Sequence, residues 1–292
     1  MIRPIARARA KALVDRRKGD LVTEYFEPVS VEALRHVLGL HPYVEAEQLV
    51  SWFKQLARGA GNFAQDPAVY GETDAVAREI EEILLPVLDE LSNQPESETM
   101  LSHMLWAGRQ DGTPRSVNHI LSTVKIILLG GMQEPGHAAS SSAYGLFESG
   151  QWGLLREDPT KWVPNAIIEG LRWIAPIGVT GRAPARDLEF HGVSIPQGHH
   201  VEGVLASANR DEAKYSLSHQ FDIERNEKAH QAFGGGQHFC AGHFFGRQVE
   251  RVMFEELLAA TKDISLKPGA DVPVVGWVFR APRSMPVTLQ AA

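Results

Sequence analysis

The stretch FGGGQHFCAG, residues 233–242, decides how this chain is read. It holds Cys240, the only cysteine among 292 residues, behind three consecutive glycines and with phenylalanines at 233 and 239. The glycines permit a tight turn that aims backbone N–H groups at the sulfur and keeps side chains away from a flat ligand. The run that follows, GHFFGRQVERVMFEELLAAT (242–261), has helical spacing. Cys240 therefore falls at a helix start, where the partial positive charge favours thiolate over thiol. Phe233 and Phe239 are placed to shield the sulfur from water. Taken alone, the segment reads equally well as a buried, inert cysteine beside a glycine turn. A lone cysteine excludes an internal disulfide, a multi-cysteine zinc site and an iron–sulfur cluster, and it fits a reducing, cytoplasmic compartment.

Working outward, 43% hydrophobic and 22% charged residues describe a globular protein with a sizeable core. A net charge of −7 argues against nucleic-acid binding. No apolar run reaches the about 18–20 residues of a membrane span; the nearest, HILSTVKIILLGGM (119–132), is too short and contains Lys125. The first twenty residues carry seven Arg or Lys against two Asp, which reads as a surface helix with one basic face, or as a docking surface for an acidic protein. VEAEQLVSWFKQLARGA (44–60) places Leu49, Trp52, Phe53 and Leu56 on one helical stripe, and DAVAREIEEILLPVLDELS (74–92) does the same with Ile80, Ile83, Leu84, Val87 and Leu91. TPRSVNHILSTVKIILLGG (113–131) starts like a helix capped by Thr113, with Pro114 at its first position. DPTKWVPNAIIEGLRWIAP (158–176) reads as a loop and then a helix stopped before Pro176. GRAPARDLEFHGVSIPQGHHVEGVLASAN (181–209) breaks into short hairpins. The fold class expected is mainly α with small β-sheets.

The cysteine segment has the form F-x-x-G-x-x-x-C-x-G and resembles the haem-thiolate loop of cytochromes P450. Three further matches follow in the family's order: EGLR (169–172) is similar to its E-x-x-R, RAPARDLEFHGVSIPQG (182–198) with ASANRDEAKY (206–215) to its β-sheet segment and the loop after it, and FDIERNEKAHQAFG (221–234) to the approach to the haem loop. The resemblance spans residues 1–292 and implies a P450 domain and fold. It implies haem b as cofactor, with Cys240 as axial iron ligand and Phe233, Gly236 and Gly242 shaping the loop. Arg182 and His238 match positions that hydrogen-bond the haem propionates, a role suited to a guanidinium and an imidazole. Glu169 and Arg172, at i and i+3, can pair. On spacing alone they are an ordinary surface pair; the resemblance adds Arg225 and makes the three a buried cluster fixing the cysteine loop.

Two departures from the family pattern shape the functional expectation. In the helix over the distal haem face the family has A/G-G-x-D/E-T, whereas this chain has GGMQEP (130–135). Gly130 and Gly131 fit, Gln133 stands at the acid position and Glu134 at the threonine position. Pro135 removes a backbone N–H, which a widened helix turn tolerates. The catalytic candidates are thus Gly131, Gln133 and Glu134; some aromatic O-demethylases of the family have a similar acid, which points to an aromatic substrate. Sequence drift in an inactive protein is the competing reading. The second departure is that GDLVTEYFEPVSVEALRHVLGL (19–40) resembles a segment lying well inside other members, so the chain is expected to lack the N-terminal portion of the P450 fold and to hold haem weakly. The function implied is monooxygenation of a small organic substrate with dioxygen and electrons from a separate ferredoxin- or flavodoxin-type donor. The alternatives are a peroxide-using P450 or a non-catalytic haem-binding remnant.

Overall fold

The basic first helix, α1 (Ile2–Arg16), buries Ala6, Ala10 and Leu13. Arg3 and Arg7 pair with Glu256, at 3.1 Å and 2.8 Å, and Arg3 also reaches Glu255. Two of the seven basic residues of the expected surface helix thus pair with α11 (His243–Ala260) of the same molecule. The computed structural model describes residues 1–109 and 111–292.

Among the described residues, nine further helices and four small sheets surround that pair. After β1 (Lys18–Asp20), a π turn, Val22–Phe26, runs directly into α2 (Glu27–Leu38). Then come α3 (Ala46–Ala60), α4 (Pro67–Ser92), α5 (Met100–Trp106), α6 (Val117–Gly130), α7 (Glu134–Glu148), α8 (Trp152–Glu157), α9 (Pro159–Trp173), and a short α10 (Leu205–Ala208) ahead of α11. The hairpins read from 181–209 are β2 (Thr180–Arg182) against β5 (Val201–Gly203), and β3 (Leu188–Phe190) against β4 (Val193–Ile195), both antiparallel. β6 (Thr261–Leu266) and β9 (Pro286–Ala291) join β1 in a three-stranded antiparallel sheet ordered β1-β9-β6, and β7 (Val274–Val275) pairs with β8 (Ala281–Pro282). The class is mainly α with small β-sheets. No helix among the described residues is long and apolar enough to cross a membrane.

Two apolar cores meet along α2. Val29 and Ala33 face a core shared with α7, α9 and α11, while Val31, Leu34 and Leu38 face one built from α3 to α6. Phe245 on α11 touches both cores, and the functional residues collect near this seam.

Two expected starts move. α6 begins at Val117 with Ser116 as its N-terminal flank, not at Thr113–Pro114. Arg115 is held against α5 instead, its N–H donating to Leu105 O at 2.8 Å and its guanidinium to Met104 O at 2.8 Å. α4 begins earlier than its apolar stripe, because Asp66 caps it by accepting from the Ala68 N–H at 2.9 Å and Pro67 fits the first position.

Candidate functional site

The GGMQEP segment breaks a helix rather than bending one. α6 ends at Gly130 and α7 begins at Glu134, so Pro135 lies in a first helical turn, where a missing N–H removes no bond. The widened interior turn expected around Pro135 is replaced by this break. Ser30 Oγ of α2 donates to Met132 O at 2.7 Å and holds the break in place. Glu134 Oε2 accepts from the Gln133 N–H at 3.2 Å, while Oε1 is buried without a partner. Burial pushes the Glu134 carboxyl up to about 7, against a lowering by His137 and by backbone N–H groups.

Opposite this break runs the cysteine loop. Gly234 (φ 68°) and Gly236 (φ 63°) take left-handed conformations that a side chain disfavours. The turn closes with the Cys240 N–H donating to Phe233 O at 2.9 Å and the Phe239 N–H to Gly236 O at 3.1 Å. Cys240 is half-buried and precedes Gly242, the N-terminal flank of α11; His243 Nδ1 lies 2.8 Å from Cys240 O. Phe239 does not screen the sulfur as expected. It is 47% exposed, because the single tight turn at Gly236–His238 puts it on the outside of the loop.

The two segments line one slot. Gly130, Gly131, Glu134 and Ala138 form one part of its wall, and Phe233, Cys240, Gly242, Gly246 and Glu250 another, with Leu171, Pro176 and Ile177 between. The slot encloses a cavity of about 100 Å³. A Cβ added at Gly130 or Gly246 would meet no atom within 4 Å, so both glycines leave room for a flat group. One thiol in an apolar, glycine-walled slot suits haem, which takes a single soft anionic axial donor from a thiolate protein.

Some expected residues stand elsewhere. Gln133 lines a separate surface pocket with Glu27, Arg9 and Lys54. It is absent from the lining of the slot that Glu134 helps to form. Gly236 and His238 are exposed in the turn and do not line the slot. Arg182 is exposed on β2, its guanidinium donating to Thr180 Oγ1 and Gly181 O, both at 2.7 Å.

Glu169, Arg172 and Arg225 form a buried cluster. Arg172 binds both carboxylate oxygens of Glu169, at 2.8 Å and 2.7 Å, and Arg225 Nε donates to Glu169 Oε1 at 3.1 Å. Their remaining donors go to the carbonyls of Asn209, Ser216, Leu217, Ser218 and Gln220. The cluster thus grips the 209–222 segment and not the cysteine loop itself. Asn209 relays the order, its Oδ1 accepting from the Gln231 N–H at 2.7 Å.

Two buried polar residues near Glu134 in the fold or the sequence escaped the sequence reading. Glu250 on α11 is 1% exposed, with Oε2 unpartnered, and burial drives its carboxyl well above the usual range despite Arg247. Its spacing from Gly242 and Gly246, i+8 and i+4, was the available signal. His137, three residues after Glu134, is 7% exposed and Nδ1 is unpartnered.

A helical fold carrying a cysteine loop under a broken helix, braced by a Glu–Arg–Arg cluster, defines a haem-thiolate type of protein. A family model for cytochrome P450 matches residues 161–262. The chain is 30% identical over 278 residues to a steroid C26-monooxygenase of Mycolicibacterium smegmatis, covering 94% of this chain and 68% of that one. It is 29% identical over 274 residues to cytochrome P450 CYP107DY1 of Priestia megaterium, covering 93% of this chain and 65% of that protein's length. Its fold matches the solved structure of cytochrome P450 CYP109Q5 from Chondromyces apiculatus with a TM-score of 0.85 at 26% identity, over all of this chain and 71% of the other. The chain belongs to the cytochrome P450 family, whose members bind haem b. It spans about two thirds of the length of these relatives.

Proposed function

We propose that residues 1–292 act as one P450 domain that binds haem b through Cys240 and oxidises a small organic substrate, with dioxygen and electrons from a separate ferredoxin- or flavodoxin-type donor. The observation that carries this reading is that Cys240 and the Gly130–Glu134 break line the same slot. Haem with a thiolate ligand supplies O–O bond cleavage and C–H oxidation when bound. The chain's own work is then positional. Cys240 offers the sulfur from a turn fixed by its own backbone hydrogen bonds, while Phe233, Leu171 and Phe245 keep water from the slot. Incubating the protein with NADPH, a ferredoxin and its reductase under ¹⁸O₂ should put one labelled oxygen atom into a product drawn from a screen of small ethers and acids. Label coming only from water would refute the reading.

Glu134 favours use of hydrogen peroxide as well. Its carboxyl lines the slot and is raised by burial to about 7, so near neutrality the carboxylate form can take a proton from hydrogen peroxide and, as the carboxylic acid, return it to the departing oxygen. Help of that kind is worth about 10²–10⁴ in rate, whereas a threonine hydroxyl only relays. Glu134→Thr should therefore lose peroxide-driven turnover and gain in reductase-driven turnover. Unchanged rates in both assays for Glu134→Gln would mean that the carboxylate is a bystander.

A further inference from the structure

We propose that Glu27 and His137 are positioning residues that carry protons from the protein surface to Glu134, an inference that rests on the haem-thiolate reading of the slot. Glu134 and His137 lie three residues apart at the start of α7, on one face. His137 Nε2 stands 3.6 Å from Glu27 Oε1. Glu27, the first residue of α2, lines the outer pocket of about 520 Å³ that Gln133 also faces. Glu27, His137 and Glu134 thus lie in order between the outer pocket and the slot.

The contact depends on how closely α2 approaches α7. Gly136 makes that approach possible: a Cβ there would stand 2.8 Å from Phe26 O and 3.0 Å from Glu27 Cα. The ring of Phe53 covers His137 edge-on, with centroids 6.4 Å apart. Each residue of the inner step has one buried, unpartnered atom, His137 Nδ1 and Glu134 Oε1. Unpartnered buried polar atoms are uncommon, and two on one helix face are what a bridging water satisfies. The charged groups around the route are Glu27 on α2, Arg9 on α1, and Glu47 and Lys54 on α3 at the outer pocket, with Glu250 on α11 across the slot.

The transfer moves one proton in and one out, and no electrons. Glu134 gives its proton to an oxygen atom in the slot. His137 releases a proton at Nδ1 to Glu134 and takes one at Nε2 from Glu27, which refills from water in the outer pocket. An imidazole with two distinct nitrogens suits such a shuttle.

The test uses the haem-loaded chain and its His137→Phe and Glu27→Gln variants. The infrared band of the protonated Glu134 carboxyl, assigned by its loss in Glu134→Gln, is followed against pH. The wild type should titrate near 7, as burial and His137 together dictate. His137→Phe removes the neighbour that lowers the Glu134 carboxyl and should move the midpoint upward. The same variant should lose about 10²-fold in reductase-driven turnover, which consumes two protons for each dioxygen, while peroxide-driven turnover, which consumes none, should fall far less. Glu27→Gln should lose less than His137→Phe in the reductase-driven assay and recover when acetate is added to the outer pocket. An unmoved band and unchanged turnover in both variants would overturn the proposal. So would a slower turnover with an unmoved midpoint in both, which is the mark of a structural role only. Glu27→Gln is partly exposed and decides the matter if His137→Phe does not fold. Absence of a thiolate-type spectrum in the wild type is a separate measurement and would instead overturn the reading of the slot.

Discussion

The Cys240→Ala variant is expected to fold yet lose every spectral sign of sulfur ligation, along with all monooxygenation. Cys240 is the only cysteine, and the other polar side chains lining the slot are the two carboxyls of Glu134 and Glu250, with no histidine among the described lining residues. Nothing in the wall offers a second soft donor. The loop itself should survive, because it is closed by the backbone of Cys240, Phe233, Gly236 and Phe239 and not by the sulfur. Thermal unfolding of the haem-free variant should therefore lie close to that of the haem-free wild type, while the spectrum of the haem-loaded form changes completely. A variant that keeps a thiolate-type Soret band would remove Cys240 from the site.

The second large effect is on stability. All five N–H donors of Arg172 are used, two on Glu169 and three on the carbonyls of Asn209, Ser218 and Gln220. Arg172 is 1% exposed and Glu169 3%. Glu169→Ala would leave two guanidinium groups, those of Arg172 and Arg225, buried without their counter-ion. Breaking a buried pair in this way costs about 3–5 kcal/mol, a large share of the roughly 5–15 kcal/mol that holds a domain folded. Urea unfolding, extrapolated to water, should show the unfolding free energy falling by that amount, with haem occupancy falling too as the Asn209–Gln231 link loosens. A loss of under about 1 kcal/mol would mean that the cluster is solvated in solution and does not brace the site.

The helices and the cysteine turn were legible because each is written locally. Leu49, Trp52 and Phe53 recur at helical spacing and are buried in α3, and the Gly-rich run before Cys240 has the positive-φ glycines its turn needs. What escaped is what depends on facing elements. Gln133 and Glu134 are neighbours in sequence, yet the break before α7 sends one to a surface pocket and the other to the slot. Glu250 and His137 looked like an ordinary helical acid and an ordinary histidine, and only the packing of α7 against α11 and α2 gives them a place beside Glu134. The basic face of α1 was visible as charge, but its partners, Glu255 and Glu256, lie more than two hundred residues away. Spacing predicted that Glu169 and Arg172 could meet; the carbonyls they organise came from a segment with no periodicity to announce it.

One spectrum tests the central claim most directly. The haem-loaded wild-type chain, reduced and exposed to carbon monoxide, should show the strongly red-shifted Soret band of a thiolate-ligated haem, because Cys240 lines the slot from a turn held by the 2.9 Å bond of its own N–H to Phe233 O. A band at the shorter wavelength of histidine-ligated haem, or no bound haem at all, would contradict it.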